Sequence, residues 1–153
     1  MTNQGKIIAL NKKAFSDYEI EEHFEAGIKL SGPEVKSAKQ GKMNLKASWA
    51  IVGKDMIPKI LNMHISSYKS ASSVQQNYDP ERSRILLLNK KQIKYLFGKL
   101  KEKRYTLLPL KAYADSGIIK IQMGLGRGKK QYEKREAIKK RDIERDIGRR
   151  LKS

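Results

Sequence analysis

Apolar residues in this chain recur mostly at every second position, the spacing of a half-buried β-strand, and switch to helical spacing only in short stretches. Residues 6–10 (KIIAL) read as a first strand. From Tyr18 to Leu30 the alternation is sustained: Tyr18, Ile20 and Glu22, then Phe24, Ala26, Ile28 and Leu30, fall on one side, and Gly27 is a candidate bulge or bend. Two further runs, 45–52 (LKASWAIV) and 56–65 (MIPKILNMHI), flank Gly53-Lys54-Asp55 and predict a hairpin, with Trp49 and Ile51 sharing a face. Two last strands, 105–114 and 117–125, meet at Asp115-Ser116-Gly117.

Helical signals fall between these runs. In SGPEVKSAKQGK, Ser31 or Gly32 caps, Pro33 suits the first helical position, Glu34 favours the positive end and Gly41 terminates, so 33–40 reads as a two-turn helix plugging one end of a barrel. Asn89 opens a second helix with Gln92 placed to reach back. Ile93, Leu96, Phe97 and Leu100 form its apolar stripe, and lysines take the opposite face. Residues 66–84 are polar and Ser-rich and read as an exposed, mobile loop. The expected fold is mainly β, a closed antiparallel oligonucleotide-binding-like barrel of about six strands with two or three helices. A ferredoxin-like sandwich fits less well, because its strands and helices alternate differently.

The pattern ends near residue 126. Residues 127–153 hold 12 Lys/Arg and 5 Asp/Glu and little to bury, so the chain divides into a barrel, 1–126, and a basic tail, 127–153. Gly124 to Gly128 reads as a flexible hinge between them rather than a phosphate loop, because the Gly-Lys-Ser/Thr ending is missing. The pairs Glu136–Lys140, Asp146–Arg150 and Asp142–Arg145 support a helix by only about 0.2–0.5 kcal/mol each, too little to offset nucleation. The tail is therefore expected to be disordered in solution and helical when bound, with Ile143, Ile147 and Leu151 along one line.

Charge then narrows the partner. The net charge is +18, from 34 basic and 16 acidic residues, and removing the tail leaves a surplus of +11. A basic body with a basic arm favours a large folded polyanion through counterion release, RNA above all. Tyr18, Phe24, Tyr68 and Tyr78 lie among basic residues as stacking surfaces would, although Tyr18 and Phe24 fit core packing as well. Lys90, Lys91 and Lys94 suit phosphates or a solvated helical face equally. Tyr132, in a tail without a core, suits stacking on RNA.

Nothing points to catalysis. The chain has no cysteine, which removes disulfides, thiolate metal sites and Cys nucleophiles. His23 and His64 lie in separate strand-like runs without a second ligand, and no carboxylate pair sits in an apolar setting. No metal or cofactor is expected. No long uncharged apolar segment is present, so a cytoplasmic location without a membrane is expected.

Three segments, NKKAFSDYEIEEHFEAGIKLSGPEVKSAKQGKMNLKASW (11–49), DPERSRILLLNKKQI (79–93) and GKKQYEKREAIKKRD (128–142), together resemble the SsrA-binding protein (small protein B) family, which serves bacterial rescue of stalled ribosomes. The resemblance implies a barrel that binds the tRNA-like domain of transfer-messenger RNA. It implies a tail that enters the vacant decoding site and mRNA channel of the stalled 70S ribosome, and no catalysis or cofactor. Carried onto this sequence, RNA binding falls on Glu34, Leu87 and Asn89, with Lys36, Lys90 and Lys91 beside them. Glu34 would accept from a base or hold a neighbouring strand, and Asn89 would cap its helix or donate to RNA. Glu34→Ala and Asn89→Ala are each expected to weaken RNA binding with little loss of stability. The decoding-site positions fall on Gly128, Lys129, Lys130, Tyr132, Glu133, Lys134, Arg135 and Ile143. Glu133 stands where the family usually has aspartate, Tyr132 where histidine is frequent, and Pro33 also departs from the common residue. A monomer is expected. The competing class is a structural ribosomal protein, for which a barrel with a basic tail is a common design, followed by an RNA-modifying enzyme.

Overall fold

The computed structural model describes residues 5–68 and 77–129. Among these the chain runs β1 (Ile7–Leu10), α1 (Lys12–Asp17), β2 (Tyr18–Ile28), α2 (Gly32–Lys39), β3 (Met43–Asn44), β4 (Trp49–Val52), β5 (Pro58–Leu61), β6 (His64–Ile65), β7 (Arg84–Leu87), α3 (Lys90–Lys99), β8 (Tyr105–Asp115) and β9 (Ile118–Gly128). The protein is mainly β. Six strands pair in a ring, β8-β4-β5-β7-β2-β9 and back to β8, with every pairing antiparallel; β1 pairs with Lys111–Tyr113 of β8, further along the edge that meets β4 at Leu107, and β3 and β6 form a separate small sheet.

The long strands follow their alternation. Along β2 the even-numbered residues from Ala26 onward turn inward and the odd ones outward. Its bulge lies between Ile20 and Glu22 rather than at Gly27. Facing side chains of Ala26, Ile28, Ile60, Leu86, Leu107, Ile121, Met123 and Leu125 fill the interior with Leu96 of α3 and Ala38 of α2. Trp49 and Ile51 do share a face, the outer one, while Ala50 points in. In β8 the LLPL run, Leu107–Leu110, is buried on both sides because α1 covers its outer face, packing Ala14 on Leu108 and Leu110. Pro109, which has no N–H to donate, sits at the bulge in that strand.

Several elements differ from the sequence reading. Helix α1 is absent from it, since six residues are too few to display a helical period; Asn11 sets it up, accepting from the Ala14 N–H at 3.3 Å and donating to the Pro109 carbonyl at 2.9 Å. The 45–52 run becomes a strand only at Trp49, and the 56–65 run breaks at Asn62. Ala47 and Asn62 both take left-handed backbone (φ 63° each), and Asn62 donates to the Ala47 carbonyl at 3.0 Å. The Gly124–Gly128 hinge is instead the end of β9, paired with both β2 and β8. A Cβ on Gly124 would sit 2.8 Å from Leu110 Cδ1, and one on Gly126 2.8 Å from the Glu19 carbonyl oxygen. These glycines let three strands close together, which a hinge would not need.

Candidate RNA interface

Helix α2 begins with a reciprocal cap: Ser31 Oγ accepts from the Glu34 N–H at 3.3 Å, and Glu34 Oε1 accepts from the Ser31 N–H at 3.0 Å. That cap turns the Glu34 carboxylate toward the interior, where it is fully buried. Arg84 Nε donates to its Oε2 at 2.6 Å, Arg82 donates to both oxygens, and the Tyr78 hydroxyl lies 3.1 Å from Oε2. Burial alone would raise the carboxyl pKa. The Arg82 hydrogen bonds, the Ser31 N–H and Arg84 outweigh it and lower the pKa to about 2.

Arg84 is the hub. Its side chain is 0% exposed, and its guanidinium also donates to the Met63 carbonyl at 2.6 Å, the Pro80 carbonyl at 2.9 Å and the Tyr78 oxygen at 2.9 Å. One side chain thus ties α2, the β5–β6 connection, the segment before β7 and β7 itself. The exposed, mobile loop expected over 66–84 is therefore corrected for part of residues 77–84: Tyr78, Pro80, Arg82 and Arg84 are anchored on this cluster, while Asn77, Asp79, Glu81 and Ser83 are exposed as expected; residues 69–76 lie outside the described residues. The expectation that Glu34→Ala spares stability is corrected too, since removing one member of a buried ion pair strands the other charge, at about 3–5 kcal/mol.

The outer face is built differently. Register places Lys29 of the β2 end, Ile85 of β7 and Lys59 of β5 in one cross-strand row, with Gly27 and Leu87 in the next. Side chains of one row share a face. Leu87 is 56% exposed, opposite a glycine that leaves it uncovered. Two residues on, Asn89 caps α3: its Oδ1 accepts from the Gln92 N–H at 2.8 Å, and its backbone N–H donates to Gln92 Oε1 at 3.2 Å. Lys90 and Lys91 follow, both exposed. The structure therefore brings Leu87, Asn89, Lys90 and Lys91 together at one strand-to-helix junction. Lys36 lies apart on α2, its Nζ 5.6 Å from the Tyr68 ring centre.

The aromatic residues divide. Tyr18 packs with the Ala14 cluster, Phe24 packs on the core beside Tyr95, and Tyr78 is held in the Glu34 cluster, which leaves Tyr68 nearest to a stacking surface. Arg82 and Arg84 escaped the sequence reading, and Tyr78 was read there as a stacking surface, because charged and polar residues in a Ser-rich stretch signal solvent. The available hint was the phase of RSRILL, which puts Arg84 inward with Leu86. Of the tail positions, Gly128 ends β9 opposite Tyr18, and Lys129 is docked on α1, its N–H on the Asp17 carbonyl at 2.8 Å and its Nζ on the Phe15 carbonyl at 3.1 Å. Lys130, Tyr132, Glu133, Lys134, Arg135 and Ile143 lie outside the described residues. Among the described residues there is no cluster of metal-ligating side chains and no helix long and apolar enough to cross a membrane.

Fold and face together define a basic, mainly β protein whose cations and one bare apolar side chain share a sheet face, the surface chemistry of an RNA-binding module. The SmpB protein family model matches residues 8–153. The chain is 47% identical over 151 residues to the SsrA-binding protein of Shouchella clausii (strain KSM-K16), covering 99% of this chain and 95% of the relative. It is 50% identical over 146 residues to that of Geobacillus sp. (strain WCH70), covering 95% and 92%. A solved chain from "tmRNA-SmpB: a journey to the center of the bacterial ribosome" superposes with a TM-score of 0.66 at 41% identity, covering 84% of this chain and 92% of that one. The chain belongs to the SmpB family of SsrA-binding proteins.

Proposed function

We propose that this protein is a cytoplasmic, non-enzymatic ribosome-rescue factor that binds the tRNA-like domain of transfer-messenger RNA and delivers it to stalled ribosomes for trans-translation. The observation that carries this reading is the correspondence with SsrA-binding proteins over nearly the whole chain, body and tail together. The strand ring serves as an oligonucleotide-binding-like barrel, and Leu87, Asn89, Lys90 and Lys91 form its RNA-facing junction. Leu87 offers apolar contact to a base or ribose. Asn89 spends its carbonyl on the helix cap and keeps its amide to donate, so capping and RNA contact are compatible roles. Glu34 acts from the interior by fixing the arginines around it, and Lys36 adds a phosphate contact beside it.

The tail, leaving the body beyond Lys129 next to α1, fills the vacant decoding site and mRNA channel and becomes helical there. Gly128, Lys129, Lys130, Glu133, Lys134 and Arg135 meet ribosomal RNA, Tyr132 stacks, and Ile143 lines the helix. Purifying the tagged protein from bacterial cells and sequencing the RNA that accompanies it tests the reading. One abundant transfer-messenger RNA is expected; whole ribosomal subunits at fixed stoichiometry would favour a structural ribosomal protein instead.

A further inference from the structure

A groove of about 540 Å³ opens beside the Glu34 cluster, on the same face as Leu87, and Lys29, Ser31, Lys59, Arg82 and Ser83 line it. No carboxylate is among its lining residues. Lys29 and Lys59 flank Ile85 from the two neighbouring strands, so their Cα atoms stand about 10 Å apart, two strand spacings. Among the described residues neither lysine has an ion-pair partner.

Arg82 completes the set, and its position is imposed from below. Its guanidinium is forked onto Glu34 while the side chain stays 40% exposed. Glu34 carries one negative charge against the two guanidiniums of Arg82 and Arg84. Arg84 is buried and saturated with acceptors, so the surplus positive charge is presented through Arg82 at the groove. Forking also removes rotamer freedom from a long side chain that would otherwise have to be ordered on binding.

We propose that this groove is a phosphate-backbone site for RNA, in which Lys29, Lys59 and Arg82 each meet phosphate oxygens, the Ser31 and Ser83 hydroxyls add donors, and Glu34 is the positioning residue for Arg82. The inference rests on the RNA-binding reading above and extends it: the RNA covers the β5–β7–β2 face as well as the Leu87–Lys91 junction. Phosphate contact predicts a sequence-independent, salt-sensitive contribution rather than base selection.

The test uses the full chain and a transcript of the tRNA-like domain, titrated at several salt concentrations, with melting curves for every variant. Lys29→Gln and Lys59→Gln should melt like the parent. Each should weaken binding about eightfold near 0.1 M salt and lower the slope of log affinity against log salt by about 0.9. Unchanged affinity and slope in both variants, with the parent binding normally, would overturn the groove; a parent that does not bind the transcript at all would sink the RNA reading itself. Glu34→Gln should weaken binding in the parent but not in the Arg82→Gln background. An equal loss in both backgrounds would show that Glu34 touches RNA itself and is not the positioning residue. Inorganic phosphate at matched ionic strength should leave RNA bound, and specific displacement would reassign the groove to free phosphate.

Discussion

Two charged regions lie within a few residues of each other and obey opposite rules. Glu34 and Arg84 are buried, paired and hydrogen-bonded, Arg82 caps them from the surface, and the cluster joins four segments of chain. On the face over β5, β7 and β2, Lys29 and Lys59 have no ion-pair partner among the described residues and Leu87 is largely exposed. A buried charge must be satisfied internally or it destabilises the fold, whereas an exposed cation costs little and keeps its interaction free for another molecule. Mutations in the first region should therefore act mainly on folding, and mutations in the second mainly on binding.

The largest separation is expected from Arg84→Met. It leaves the Glu34 carboxylate buried with fewer donors and strands the Met63 carbonyl, while the Pro80 carbonyl keeps the Ile65 N–H, and a loss of about 3–5 kcal/mol in unfolding free energy should appear in denaturant titrations. A loss below about 1 kcal/mol would show that the hub is not structural. Acid should act on the same contact. Because the folded-state pKa of Glu34 is depressed from 4.5 to about 2, its contribution is present above pH 4.5 and lost as pH falls toward 2. Stability over that window should drop by up to about 3 kcal/mol in the parent, and Glu34→Gln should remove this part of the slope.

Smaller effects sharpen the other side. Asn89→Ala should cost about 1 kcal/mol of stability by loss of the cap and should also weaken RNA binding. Asn89→Asp keeps the capping oxygen and removes the amide, so it should bind poorly while melting near the parent; full binding by Asn89→Asp would leave capping as the residue's whole role. Leu87→Ala should change stability by no more than about 0.5 kcal/mol, because its side chain is already in solvent, and should still reduce affinity for the tRNA-like RNA.

The same contrast explains what could be read from the chain. Strand β2 was legible because alternation over 11 residues is hard to mistake, and most of β9 because Ile119, Ile121, Met123 and Leu125 alternate, whereas β8 was legible from its apolar run ahead of the Asp115-Ser116-Gly117 turn. Helices α2 and α3 were legible because Ser31 with Glu34 and Asn89 with Gln92 carry complete capping boxes. Strand β7 was not, since its first inward residue is Arg84, and a buried arginine looks like a surface residue until Glu34 is known to face it. That partnership spans 50 positions and leaves no local trace. The glycines of β9 misled for a related reason: local rules attach Gly-x-Gly to loops, whereas here the contacts that demand glycine come from β2 and β8. As RNA contacts Leu87 and Asn89 were reached only through family resemblance, and Lys29, Lys59 and Arg82 needed the register of three strands.

Amide hydrogen exchange on the full chain, with and without a transcript of the tRNA-like domain, tests the division between hub and face most directly. Protection gained on binding is expected over residues 27–31 and 83–91, with the slow exchange around Met63 and Arg84 already present in the free protein. Protection confined to α1 and the outer edge of β8, with residues 27–31 and 83–91 unchanged, would contradict the assignment of this face to RNA.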